Sequence, residues 1–99
     1  MNLQALLKKL QPELHPFEIE GETIYIHRPN GRDFQKCTDI SSTLILCVKD
    51  ENGDPIFADE DIDGRINVQS VDYILQTKIY AAILQLIQDA NPTDEIEKK

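Results

Sequence analysis

Residues 67–88 read NVQSVDYILQTKIYAAILQLIQ, and this stretch decides the fold. Its apolar residues recur at steps of three and four, which is the spacing of one helix face. That face consists of Val68, Val71, Leu75, Ile79, Ala82 and Leu86, and Ile74 and Ile83 widen it. The pattern predicts a long helix over 67–88 that carries much of the core.

A second line of apolar residues climbs a neighbouring face of this helix: Tyr73, Tyr80, Leu84 and Ile87. Charged residues make up 28% of the chain, yet residues 67–88 contain only Asp72 and Lys78. A helix that covers a small core usually has a charged outer face, so these four residues are candidate partner-binding residues. Aromatic side chains are enriched in such contacts. The alternative is an intramolecular contact of the same four with the N-terminal helix or the hairpin described below.

The remaining elements predict a single α+β domain over 1–90, mostly helical, with an N-terminal β-hairpin packed on two or three helices. Leucines at helical spacing predict a short helix over 2–10 that Asn2 caps and Pro12 ends. Because an isolated helix of this length is marginal, it must pack against something. The last residues, 91–99, lack apolar periodicity, which indicates a flexible tail of acidic and basic residues.

Apolar residues alternate with polar ones over 17–27, which predicts a β-hairpin with its turn at Glu20-Gly21. In that register Phe17 faces Ile24 and His15 faces Ile26, and the large apolar residues share one face of the sheet. His27 and Tyr25 fall on the opposite, solvent-facing side.

A further helix is predicted over 32–48, with Asn30 as its cap and Ser41-Ser42-Thr43 as the place for a bend or break. On one helix, Cys37 and Cys47 would be separated by roughly 15 Å of axial rise, which is too far for a disulfide. Gly53, in the polar loop that follows, is predicted to adopt a left-handed turn conformation.

The formal net charge of −8 excludes several classes of partner. Contacts with nucleic-acid phosphates or an anionic membrane surface need clustered Lys and Arg, and the basic residues here are scattered. No apolar run reaches the length of a transmembrane helix, and the N-terminus does not resemble a secretory signal. The expectation is a cytoplasmic protein that binds neither nucleic acid nor membrane.

Residues 59–70 resemble an EF-hand calcium loop, with Asp59, Asp61 and Asp63 at its first, third and fifth positions and Gly64 at its sixth. Ser70 stands at the last position, where a bidentate carboxylate is expected, and Pro55 leaves little room for an entering helix. A small calcium-responsive binding module is therefore the alternative function, and the other interpretation is an acidic turn before the long helix. No other cofactor is expected.

The sequence predicts no enzyme. It contains no phosphate-binding glycine loop, no HExxH motif and no metal-spaced cysteines, and neither histidine belongs to a recognisable nucleophile motif. An antitoxin or inhibitor whose acidic surface mimics nucleic acid is a third, weaker hypothesis.

The order of elements resembles that of the tail assembly chaperones of long-tailed, siphovirus-type phages or prophages. The resemblance spans residues 17–88 and comprises FEIEGETIYIHRPNGRDF, STLILCVKDENGDPIFADEDI and VQSVDYILQTKIYAAILQLIQ. Its most specific part is the turn at residues 50–57, DENGDPIF, which is similar to the D-E-x-G-x-P-x-F turn of family members. The family's last helix is often more alanine-rich and ends in Asn-Gly, whereas this chain has Asp89-Ala90-Asn91-Pro92.

The resemblance implies a non-catalytic protein that binds the tape measure protein, keeps it soluble and helps recruit tail tube subunits during tail morphogenesis. It further implies action in the cytoplasm of the bacterial host, self-association, and absence from the mature virion.

Overall fold

The computed structural model describes residues 1–89. An N-terminal helix, α1 (Leu3–Leu10), precedes a hairpin of β1 (His15–Ile19) and β2 (Glu22–Ile26). Two short helices follow, α2 (Gly31–Phe34) and α3 (Ile40–Cys47), and then β3 (Val48–Lys49). The chain continues through β4 (Phe57–Ala58), β5 (Ile66–Asn67) and a 3₁₀ turn (Val68–Ser70) to α4 (Tyr73–Asp89). The predicted α+β fold, mostly helical with an N-terminal hairpin, is confirmed. The predicted tail over 91–99 lies outside the described residues.

The hairpin has the predicted register, with Phe17 opposite Ile24 and His15 opposite Ile26. Its turn lies at Glu20-Gly21, and both residues have positive φ, +49° and +79°. Positive φ at both central residues is typical of the turn that matches the twist of a two-residue hairpin. The strand β3 then adds to β2, which gives an antiparallel three-stranded sheet in the order β1-β2-β3. A lone hairpin would be only marginally stable, and the third strand stabilises it.

The core lies between the sheet, α3 and α4. Its fully buried centre contains side chains from α3, β3, the 3₁₀ turn and α4: Leu44, Cys47, Val48, Val68 and Ile83. The hairpin contributes its apolar face, on which Ile26 is buried and Phe17, Ile19 and Ile24 are partly buried. The helix α3 makes more contacts with α4 than with any other element, so the two helices form the main layer against which the sheet packs.

The predicted long helix begins later than expected. Residues 67–72 form a strand residue, a 3₁₀ turn and an extended connection, and α4 starts at Tyr73. The Asp72 carboxylate accepts a hydrogen bond from the Ile74 amide at 2.8 Å and caps the helix there. Val68 and Val71 still pack into the core, but from the segment that precedes the helix. Ile74, predicted to widen the core face, is 61% exposed.

The predicted 32–48 helix is broken, but at residues 35–39 rather than at 41–43. Asp39 is extended and its carboxylate accepts a hydrogen bond from the Ser42 amide at 2.8 Å, so a new helix starts after it. The Thr43 hydroxyl donates to the Asp39 carbonyl at 2.8 Å. The poor helix formers are thus accommodated in the first turn of α3, where their polar groups serve the cap.

The caps predicted from sequence are present at two other helix starts. The Asn2 side chain accepts hydrogen bonds from the Gln4 and Ala5 amides at 3.1 Å. The Asn30 side chain accepts one from the Asp33 amide at 2.8 Å. In the loop after β3, Gly53 has the predicted positive φ, +85°, and Asp50 accepts hydrogen bonds from the Asn52 and Asp54 amides.

Candidate functional site

The four candidate partner-binding residues of α4 do not all lie in the same environment. Tyr73 is 69% exposed and Leu84 is 36% exposed. Tyr80 is half-buried, and Ile87 packs against the core. The reason is helical geometry: Tyr80 and Ile87 lie at the border between the core face and the outer face, whereas Tyr73 and Leu84 lie within the outer face.

The outer face of α4 is poor in charge along its whole length. The exposed residues of α4 are Tyr73, Ile74, Thr77, Lys78, Ala81, Leu84, Gln85, Gln88 and Asp89, of which only Lys78 and Asp89 are charged. Neither α1 nor the hairpin covers Tyr73. The alternative of a contact within the chain therefore does not explain why an apolar side chain stands at this exposed position. We call Tyr73, Ile74 and Leu84 the outer patch of α4. Sequence reasoning had assigned Ile74 to the core and so missed it as a surface residue.

The helix α1 presents a second uncovered apolar surface. Its four leucines, Leu3, Leu6, Leu7 and Leu10, lie on one helix face and are 71%, 39%, 58% and 70% exposed. No residue of α1 is buried. The covering that this helix was predicted to need is not supplied by residues 1–89.

A shallow apolar groove of about 220 Å³ runs between the turn end of the hairpin and the start of α4. Its floor and walls are the side chains of Ile19, Ile24, Ile56, Phe57, Ile66, Val71, Leu75 and Ile79, and Glu20 and Glu22 stand at its hairpin edge. This volume is below the roughly 300–1,000 Å³ of small-molecule sites. Its size suits apolar side chains of a protein segment. Sequence reasoning missed the groove because its walls come from four separate segments.

The opposite end of the hairpin contains a cavity of about 290 Å³ with both polar and apolar lining. His27, Asp33 and Lys49 line it, together with residues of the connection between α1 and β1. His27 was predicted to face solvent, but it is only 8% exposed, because it lies beside β3 and the C-terminal end of α3. Its Nδ1 lies 2.7 Å from the Arg28 carbonyl, and its amide donates to the Cys47 carbonyl at 3.0 Å. Burial lowers the pKa of His27, so the ring is neutral at pH 7.

Lys49 completes this cavity in a structural role. Its Nζ donates a hydrogen bond to the Leu46 carbonyl at 2.6 Å, near the C-terminal end of α3. Burial lowers the pKa of Lys49. The ammonium group is held by a helix-end carbonyl. We find no serine or cysteine among the side chains that line the cavity, so it offers no activated nucleophile to His27.

The two cysteines are neighbours, contrary to the single-helix expectation. The break between α2 and α3 lets Cys37 fold back onto the core beside Cys47. Both thiols are free. Burial raises the pKa of Cys47 to about 12, and the adjacent Cys37 thiol adds to this shift. Cys47 is therefore a buried, protonated and unreactive side chain at neutral pH.

The acidic residues Asp59, Asp61 and Asp63 do not form a joint site. They lie on the loop between β4 and β5, which pair as parallel strands, so no helix enters the loop. Asp59 lines a cavity with Lys36 of the α2–α3 connection, whereas the Asp61 carboxylate accepts a hydrogen bond from the Asn67 side chain at 3.0 Å. Within residues 1–89, no three His, Cys, Asp or Glu side chains are grouped as a metal site would require. The geometry thus does not support the calcium alternative.

Comparison of the sequence with known protein families and with curated proteins, and comparison with solved structures, finds no match. Of the helices within residues 1–89, none combines the length and apolar character that crossing a membrane requires. The candidate site consists of three surfaces: the outer patch of α4, the leucine face of α1 and the apolar groove.

Proposed function

We propose that this protein is a non-catalytic phage tail assembly chaperone, which binds the tape measure protein and helps recruit tail tube subunits. The single observation that carries the proposal is the outer patch of α4. It joins an aromatic ring and two aliphatic side chains on a helix face with almost no charge. The sequence resemblance over residues 17–88 supplies the class of partner.

The chemistry of the patch suits a partner with apolar segments. The resemblance implies that the chaperone keeps the tape measure protein soluble, and a helix face with little charge can do this by covering such segments. Tyr73 offers a large apolar ring with a polar tip, Ile74 lies beside it around the helix, and Leu84 lies about three turns further along the face of Tyr73. Ile87, at the border of this face, packs against the core.

Co-expression tests the proposal. The resemblance implies a tape measure protein encoded beside this chain. When that protein is produced with and without this chain, the chain should increase its soluble fraction and co-purify with it. The double variant Tyr73→Glu/Leu84→Glu should lose co-purification, because two carboxylates would have to be buried in the contact. Both positions are exposed, so the fold should persist.

The matched control is Gln69→Glu, which adds a carboxylate at an exposed position outside α4. It should leave co-purification unchanged. The proposal fails if the wild-type chain neither co-purifies with the tape measure protein nor changes its solubility.

Recruitment of tail tube subunits gives a second measurement. The purified complex of this chain with the tape measure protein should retain tail tube protein, whereas the tape measure protein alone should not. Mass spectrometry of finished particles should not detect this chain. Detection in stoichiometric amounts would indicate a structural component instead.

A further inference from the structure

We propose that α1 is an exchanged arm, and that its leucine face docks into the apolar groove of a second copy of this chain. The proposal does not rest on binding of the tape measure protein. It rests on three properties of the described residues: the exposure of α1, the form of the groove and the charges that border both.

The first property is that the leucine face of α1 is exposed and must be buried for the helix to be stable. An eight-residue helix is marginal in water on its own, even with the Asn2 cap. Its leucines follow the spacing i, i+3, i+4 and i+7, which makes one continuous apolar stripe, and all four are exposed. Docking of this stripe would supply the burial that the helix lacks.

The second property is that the groove accepts such a stripe. It is open, is bordered by the exposed side chain of Ile66, and has the partly buried Leu75 and Ile19 on its walls. Helix-in-groove contacts place side chains of an amphipathic helix into apolar depressions of this kind.

The third property is charge complementarity. Residues 1–12 contain Lys8 and Lys9 and no acidic residue, in a chain whose net charge is −8. The groove has Glu20 and Glu22 at its hairpin edge. Lysines at the C-terminal end of α1 can therefore meet carboxylates at the hairpin turn, while their stems lie along the apolar contact.

The position of α1 in its own chain favours a second copy as the occupant. The segment 9–12 borders a cavity with residues 28–31, at the end of the hairpin where His15 pairs with Ile26. The groove lies at the other end, near the turn, roughly 14 Å away along a strand of five residues. An arm that leaves from one end and a groove at the other make a head-to-tail contact, which closes into a ring or extends as a chain.

Sedimentation velocity over a range of concentrations tests the arm. The wild-type chain should self-associate, and Leu7→Glu should raise the dissociation constant by about tenfold or more, the effect of losing one buried anchor. Gln4→Glu, with the same charge change on the polar side of α1, is the matched control and should self-associate like the wild type. Circular dichroism of L7E should show that the core remains folded.

A charge exchange distinguishes docking between copies from folding back. The variants Lys8→Glu/Lys9→Glu and Glu20→Lys/Glu22→Lys should each self-associate weakly, and an equimolar mixture of the two should form mixed oligomers. In the mixture, each acidic arm meets a basic groove on the other variant.

Several outcomes overturn the proposal. A wild-type chain that is monomeric at all concentrations overturns it, whether α1 is protected from hydrogen exchange by its own groove or left open for another protein. Unchanged assembly of L7E overturns it as well, because the contact would then lie elsewhere. Co-purification of L7E with the tape measure protein reports on the proposed function separately.

Discussion

The helices α1 and α4 both carry an apolar stripe at helical spacing, and the structure treats them differently. The helix α4 buries Ile79 and Ile83 against α3 and the sheet, whereas α1 buries none of its residues. The leucine stripe of α1 is the more regular of the two in sequence. An apolar stripe therefore shows that a helix face must be covered, but not by which chain.

The strongest test of this comparison is to truncate one side chain in each helix. Ile83→Ala, at a fully buried position, should lower the free energy of unfolding by about 2–5 kcal/mol. Leu7→Ala, in dilute protein, should change it by less than about 0.5 kcal/mol, because the side chain is exposed. Urea denaturation at micromolar protein measures both. Equal losses would mean that α1 packs on its own domain in solution.

Hydrogen exchange sharpens the same contrast amide by amide. In dilute protein the α1 amides should exchange close to the unprotected rate, while amides in the middle of α4 should exchange only with global unfolding. At concentrations where copies associate, α1 should gain protection and α4 should keep its own. If the α1 amides were protected equally at all protein concentrations, the proposal that α1 docks on a second copy would be contradicted.

The pH dependence of stability tests whether His27 is buried. Because burial lowers the pKa of His27, the unfolded chain, in which histidine has its ordinary pKa of 6.5, binds the proton more readily. The contribution of His27 to the free energy of unfolding is fully present above pH 6.5 and is lost as the pH falls through the folded-state pKa. Urea midpoints between about pH 7.5 and about pH 5 should show this loss in the wild type.

The variant His27→Gln should have a weaker dependence on pH over that range. His15→Gln is the matched control, since it removes the half-buried histidine at the start of β1 and keeps His27. An identical pH dependence in wild type and H27Q would show that His27 is accessible to protons and to water.

The smallest expected difference is between helix caps. Asp39→Ala should lower the thermal midpoint, because α3 is in the core and its first amides lose their acceptor. Asn2→Ala should leave the midpoint almost unchanged in dilute protein, because α1 contributes no buried residues. The pKa of Asp39 is lowered by the hydrogen bond from the Ser42 amide, so the contribution of this cap is present at neutral pH and lost in acid. Asp39→Asn should keep the cap without that acid dependence.

Local patterns predicted much of the fold. The alternation over residues 17–27 gave the register of the hairpin, because a shift by one residue would turn every apolar side chain away from the core. The caps at Asn2 and Asn30 and the turn at Gly53 follow from side-chain chemistry within a few residues. Such features depend on interactions between residues close in sequence, so they can be predicted from the sequence.

Other features depended on distant parts of the chain. The helix α4 starts at Tyr73 because β5 pairs with β4 and Val68 is buried under α3, so the preceding residues cannot stay helical. The Gln76 side chain then donates to the Val68 carbonyl at 2.6 Å, which ties this connection to the helix. His27 became buried for the same kind of reason, since β3 pairs beside it.

For the candidate site, the sequence indicated an undercharged final helix, and Tyr73 and Leu84 are exposed as that idea requires. It placed Ile87 on the same surface, where the structure packs it toward the core. The groove and the uncovered state of α1 could not be predicted, because each is a relation between segments far apart in the chain.

By itself, the sequence determined the hairpin with its register, the helix caps at Asn2 and Asn30 and the shortage of charge on α4, since these follow from side-chain period and chemistry within each segment. Only the tertiary structure decided which apolar faces are covered. Burial depends on which segments meet, and among residues 1–89 the segments that form the core leave the leucine face of α1 exposed.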